Sequence, residues 1–153
     1  MHHRFNYVRE APGAYEAMSS LEQYLKTCGL ETQLLHLVKL RASQINGCAY
    51  CIDMHSKDLA AGGDTMQRML SLGAWRECPY YTDRERAALA WTEAVTRIAD
   101  TQAPDDVYDE ARRQFSETEI ANLTVAIATI NAWNRLAISA RTEPGHYRPP
   151  ASA

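Results

Sequence analysis

No run of about 18 apolar residues occurs in this 153-residue chain, so the sequence offers no membrane-spanning helix. Basic residues form no stripe. The 16 Lys and Arg are interspersed with 19 Asp and Glu for a net charge of −3, which argues against nucleic acid as a partner. Glycine (7) and proline (6) are scarce and fall where segments break, and there is neither an internal repeat nor a low-complexity tract. No segment alternates strictly between apolar and polar residues, which removes the half-buried β-strand from consideration. The opening MHHRFNYVREAPGAY is polar and lacks the apolar centre of a secretion signal, so the expected compartment is the cytoplasm. What is present, 46% hydrophobic and 23% charged residues, suits one globular domain over 1–153 with an irregular tail, PGHYRPPASA.

The segments between breaks carry helical periodicity. Residues 14–28 place Ala14, Ala17, Met18, Leu21, Tyr24 and Leu25 on one face and stop at Gly29. Residues 32–45 do the same with Leu34, Leu37, Val38, Arg41 and Ile45, and residues 49–61 run from the Asn46–Gly47 break to the Gly62–Gly63 pair. Thr82 with Glu85 and Ser116 with Glu119 are capping-box pairs opening two further helices, and Pro104 fits the first turn of a short helix over 104–113. The expected fold is therefore all-α. The last helix is apolar on more than one side. It is either a central core helix or partly a subunit contact, for which Trp133 beside Asn131 and Asn134 is suited.

Chemistry concentrates in NGCAYCIDMH. Cys48 sits where the chain turns into a helix, and free amide groups and the helix dipole there favour a thiolate. Cys51 lies about one turn on, and His55 four residues beyond it shares its face. If 32–45 and 49–61 form a hairpin, His36 lies about as far before the turn as His55 lies after it, within ~3 Å along the axis at helical rise. Three readings are open on these residues: a redox dithiol with an adjacent base, a tetrahedral zinc set of Cys48, Cys51, His55 and His36, or simple packing. A c-type haem site is excluded in its usual form, because no histidine follows the second cysteine directly. Cys28 and Cys78 are isolated and read as packed or partly exposed thiols, and His2, His3 and His146 as solvated side chains.

Over about residues 12–148, the stretches LVKLRASQINGCAYCIDMHSKDLAAGG, WRECPYYTDRERAALAWTEAVT and FSETEIANLTVAIATINAWNRLAIS resemble the AhpD-like alkylhydroperoxidase branch of the carboxymuconolactone decarboxylase family. The resemblance implies an all-α domain whose CxxC opens a helix of a helical hairpin, assembled as a homotrimer or homohexamer. It implies peroxidase chemistry in which Cys51 attacks a hydroperoxide, Cys48 resolves the product as a disulfide, and His55 accepts the proton. A dithiol or lipoyl-type reductant would reset the pair, with no dissociable cofactor. On the residues alone Cys48 would be the more acidic thiol. Two positions depart from the family pattern. His36 stands where a glutamate feeds the proton relay, with Glu31 more than a turn away, and Tyr50 stands where some members carry histidine. A neutral His36 can pass a proton but cannot supply the negative charge that raises the basicity of His55. Two rival readings are a decarboxylase-like enzyme with His36 and His55 as acid and base, and a non-catalytic redox-sensing or zinc-bearing module.

Overall fold

A computed structural model describes residues 2–150, and all regular structure among them is helical. The helices are α1 (Tyr7–Glu10), α2 (Pro12–Leu25), α3 (Thr32–Asn46), α4 (Ala49–Ala61), α5 (Met66–Ser71), α6 (Asp83–Thr96), α7 (Ile98–Thr101), α8 (Asp105–Gln114) and α9 (Glu117–Ala140), with a 3₁₀ turn over Leu72–Ala74. None of them is long and apolar enough to cross a membrane.

The starts obey local chemistry. Both capping boxes form: Thr82 and Glu85 open α6, and Ser116 and Glu119 open α9. Pro12 occupies the first turn of α2, where its missing N–H costs nothing. Pro104 does not enter α8 as expected but precedes it, its carbonyl accepting from Tyr108 N–H. The first long helix ends at Leu25, short of the expected 28. The segment 66–74 folds into α5 and the 3₁₀ turn, which no periodic apolar signal announced, since Met66 and Leu70 are exposed.

α3 packs against α4, α6 and α9, and this puts it at the centre. Its buried side chains Leu34, Leu35 and Val38 join Leu123, Ile127 and Trp91 in one apolar cluster, while Leu37 and Leu40 join Leu59, Leu72 and Leu89 in another. Gly47 closes α3 in the left-handed region (φ 71°), a conformation that glycine adopts without strain, and the chain reverses into α4.

A polar seam locks this reversal to α9. Asn46 Nδ2 donates to Asn131 Oδ1 and to Asn134 Oδ1, both at 2.9 Å, and Asn134 Nδ2 donates to Ser43 Oγ at 3.0 Å. Asn131 Nδ2 donates to Thr96 Oγ1 at 3.1 Å. Trp133 donates its Nε1–H to Glu22 Oε1 at 3.1 Å and packs on Tyr7 and Tyr15. The polar groups on α9 that the sequence reading offered for a subunit contact are thus engaged within the chain. The tail PGHYRPPASA is irregular over its described residues 144–150, as expected, with 151–153 outside the described residues, yet it is tied down. Lys57 Nζ donates to the carbonyls of Gly145 and Tyr147, and Gly145 N–H donates to Asp53 Oδ2.

Because Asn134 is fully buried, its loss strands the partners it satisfies. Asn134→Ala should lower the unfolding free energy by about 2–4 kcal/mol, against about 1 kcal/mol for the cap variant Ser116→Ala, both read from urea denaturation.

Candidate functional site

Cys48 is the N-cap of α4, and its Sγ accepts a hydrogen bond from the Cys51 backbone N–H at 3.4 Å. Both thiols are free and buried. The Cys48 thiol is lowered to about 7, chiefly because the Cys51 side chain hydrogen-bonds to it. Burial opposes this, and the amides of Cys51 and Tyr50 and the side chain of Asn134 assist. Cys51 is pushed up for the converse reason: it holds its proton against the Cys48 sulfur, and it is buried. The helix-start argument for Cys48 as the acidic thiol agrees with this geometry. Access is divided the other way. Cys51, and not Cys48, lines a cavity of about 680 Å³ bounded by α1, α2, α3, α4, α9 and the tail.

The hairpin register brings the two histidines together, as the spacing predicted. His36 Nδ1 and His55 Nδ1 are 3.4 Å apart, one ring from α3 and one from α4. Asp58, one turn beyond His55, places Oδ2 at 3.5 Å from both nitrogens. Its other oxygen accepts from the Tyr147 hydroxyl at 2.6 Å. Burial and the neighbouring imidazole drive His36 down to about 4, and burial likewise lowers His55. Burial acts to raise Asp58, but hydrogen bonds from His55 and Tyr147 hold it below the usual carboxylate range. At neutral pH the group is therefore one carboxylate facing two uncharged imidazoles.

A carboxylate can only accept, so a ring N–H must face Asp58; in the tautomer with the His55 proton on Nδ1, Nε2 is left as a bare lone pair. That Nε2 is buried and has no hydrogen-bond partner. Here the structure corrects the sequence reading: His55 and Cys51 share a face and a cavity, but no direct hydrogen bond joins them. A proton passing between them needs a bridging molecule. The expected lack of negative charge at the His36 departure is also corrected, because Asp58 supplies it. Glu31 is engaged elsewhere, with Arg84 at 2.9 Å. Asp58 was missed although its spacing from His55 was legible as one helical turn. Tyr147 carried no signal, since it lies in an aperiodic tail and reaches α4 only through the fold.

The zinc set drawn from the sequence does not assemble. The thiols bond each other and Asn134, and among the described residues the ligand-type side chains that converge are His36, His55 and Asp58. Tyr50 lines the cavity with its ring half-buried, and burial raises its hydroxyl pKa. Cys28 and Cys78 are partly buried away from the site, and His2, His3 and His146 are exposed, as read.

Residues 12–94 match the model of the carboxymuconolactone decarboxylase family. An uncharacterised protein of Bacillus subtilis, YdfG, is 39% identical over 91% of this chain and 95% of its own length. A crystal structure from Agrobacterium tumefaciens is 46% identical, with a TM-score of 0.92 over 95% of this chain and all of that one. That protein is of unknown function and bears a provisional assignment to antioxidant defence as AhpD. An uncharacterised peroxidase-related protein from Ralstonia eutropha, with an alkylhydroperoxidase AhpD core, shares the fold at 17% identity and a TM-score of 0.80, over 91% of this chain and 74% of its own. With the family pattern matched over more than half its length and relatives this similar along nearly all of it, the chain belongs to the carboxymuconolactone decarboxylase family and has the AhpD-like helical fold.

Proposed function

We propose that the protein is a cytoplasmic thiol peroxidase that reduces hydroperoxides through the Cys48–Cys51 pair. One observation carries the reading. The second sulfur of an acidified dithiol faces the same cavity as a buried, unpartnered imidazole nitrogen backed by a carboxylate.

The reduced pair carries one negative charge and one shared proton. A proton shift toward Cys48 leaves the thiolate on Cys51, the sulfur with access. That thiolate attacks the distal peroxide oxygen, the O–O bond breaks, and Cys51 becomes a sulfenic acid while an alcohol leaves. The Cys48 sulfur then displaces the hydroxyl to form the disulfide, releasing water. The two sulfurs lose two electrons and the peroxide gains them. One proton enters from solvent, and His55 Nε2 relays it through a bridging water, with Asp58 stabilising the transient imidazolium. A dithiol protein or lipoyl group reduces the disulfide by exchange. Assembly as a homotrimer or homohexamer belongs to this reading as well.

Peroxide consumption by the reduced protein should vanish in Cys51→Ser. Cys48→Ser should consume one equivalent per chain and stop at a sulfenic acid that mass spectrometry locates on Cys51. Undiminished turnover in Cys51→Ser would overturn the proposal.

The oxidation rate should climb as pH rises through about 7, where Cys48 loses its proton, and then level off. The depressed pKa places the reactive form above that pH, so Cys48→Ser should move the rise upward. His55→Gln should slow oxidation by about 10²-fold and Asp58→Asn by less, both read by stopped-flow. A decarboxylase-like reading with His36 and His55 as acid and base requires turnover that survives alkylation of both thiols, which the same preparations can test with a lactone substrate.

A further inference from the structure

We propose that His36, His55 and Asp58 form a binding site for a tetrahedral divalent transition-metal ion, zinc foremost, and that the bound ion disables His55 as a proton relay. The second half rests on the peroxidase reading above, and the first half does not.

The three candidate ligand atoms form a nearly equilateral triangle: 3.4 Å between the two Nδ1 atoms, and 3.5 Å from each to Asp58 Oδ2. A tetrahedral zinc site with bonds of about 2.0–2.1 Å places its ligands about 3.3–3.4 Å apart. An octahedral magnesium site at about 2.1 Å would need neighbours about 3.0 Å apart and prefers oxygen to imidazole. Both the spacing and the two-nitrogen, one-oxygen donor set select a zinc-like ion. His55 and Asp58 are fixed on one helix and His36 on its hairpin partner, so the triangle is built on rigid elements. The Tyr147 hydroxyl on the free oxygen of Asp58 gives the carboxylate the outer hydrogen bond that ligating groups usually carry. All three residues line the cavity, which supplies an entry path and space for a fourth ligand.

The ion would take the His55 Nδ1 lone pair, which is available only in the other tautomer. The ring proton then moves to Nε2, and the nitrogen that was a free lone pair becomes a donor, unable to accept a proton. Zinc and the relay therefore compete for one imidazole. The histidine at position 36 is what makes this triangle rich in nitrogen.

The test uses the metal-free full-length protein, titrated with Co²⁺ as a spectroscopic probe and with Zn²⁺ against a chromophoric chelator. The expected result is one ion per chain. The cobalt form should show tetrahedral d–d bands without a sulfur-to-cobalt charge-transfer band. Binding should persist in the Cys48→Ser, Cys51→Ser double variant and weaken at least about tenfold in both His36→Gln and Asp58→Asn, with circular dichroism confirming that each variant is folded. Absence of stoichiometric binding, its loss in the double cysteine variant, or unchanged affinity in both His36→Gln and Asp58→Asn would overturn the site. Zinc should slow peroxide consumption reversibly by about 10²-fold, as loss of His55 does, and the activity that remains in His36→Gln should resist it. Full activity of the zinc-loaded wild type would overturn the inhibitory role. Inactive metal-free protein would instead overturn the peroxidase reading and leave the binding result standing.

Discussion

The site depends on the register of one helical hairpin. Gly47 reverses the chain between α3 and α4 in a conformation that side chains resist, and Asn46 beside it is held by Asn131 and Asn134 on α9. With the turn fixed, the helical rise dictates that His36 meets His55 and that Cys48 caps α4. A one-residue slip would rotate each group off its partner by about 100°. The buried amides of the seam permit no such slip, because every alternative leaves donors and acceptors unpaired in the core.

Burial then sets the electrostatics. Desolvation keeps both histidines uncharged, so Asp58 is the charged member of their cluster, beside the Glu22–Lys39 ion pair on the same cavity wall. The dithiol follows the same logic at shorter range. Two sulfurs one helical turn apart cannot both be ionised in a low dielectric, so Cys51 keeps its proton and donates it to the Cys48 sulfur, which the amides of Cys51 and Tyr50 also favour as the thiolate. Acidity and access thus fall on different sulfurs, and the hydrogen bond between them is what lets one serve the other.

His36, which stands where the resemblance implies a glutamate, leaves the cavity less altered than the sequence implied, because a carboxylate is still present in it. It is Asp58 on α4, one turn beyond His55, where the tail residue Tyr147 steadies it. The tail is aperiodic in sequence yet contributes a hydrogen bond to the centre of the site. α5 shows the opposite case, a helix with exposed Met66 and Leu70 that periodicity could not announce.

The sequence by itself determined the elements whose signals are local. Capping boxes fixed the starts of α6 and α9, Gly47 fixed the turn, and the CxxC fixed a thiol at a helix start, because these rest on hydrogen bonds between residues within one turn of each other. Equal counting from the turn also made the His36–His55 approach legible. The fold alone decided which groups complete the cluster. Asp58 was one of two acids on its helix, with Asp53, until the packing of α3 turned His36 toward it. Tyr147 lies 89 residues from Asp58 in the chain. The absence of a direct Cys51–His55 bond was likewise beyond a periodicity argument. Shared helical spacing places two side chains on one face, but which atoms touch is settled by the neighbours that compete for them.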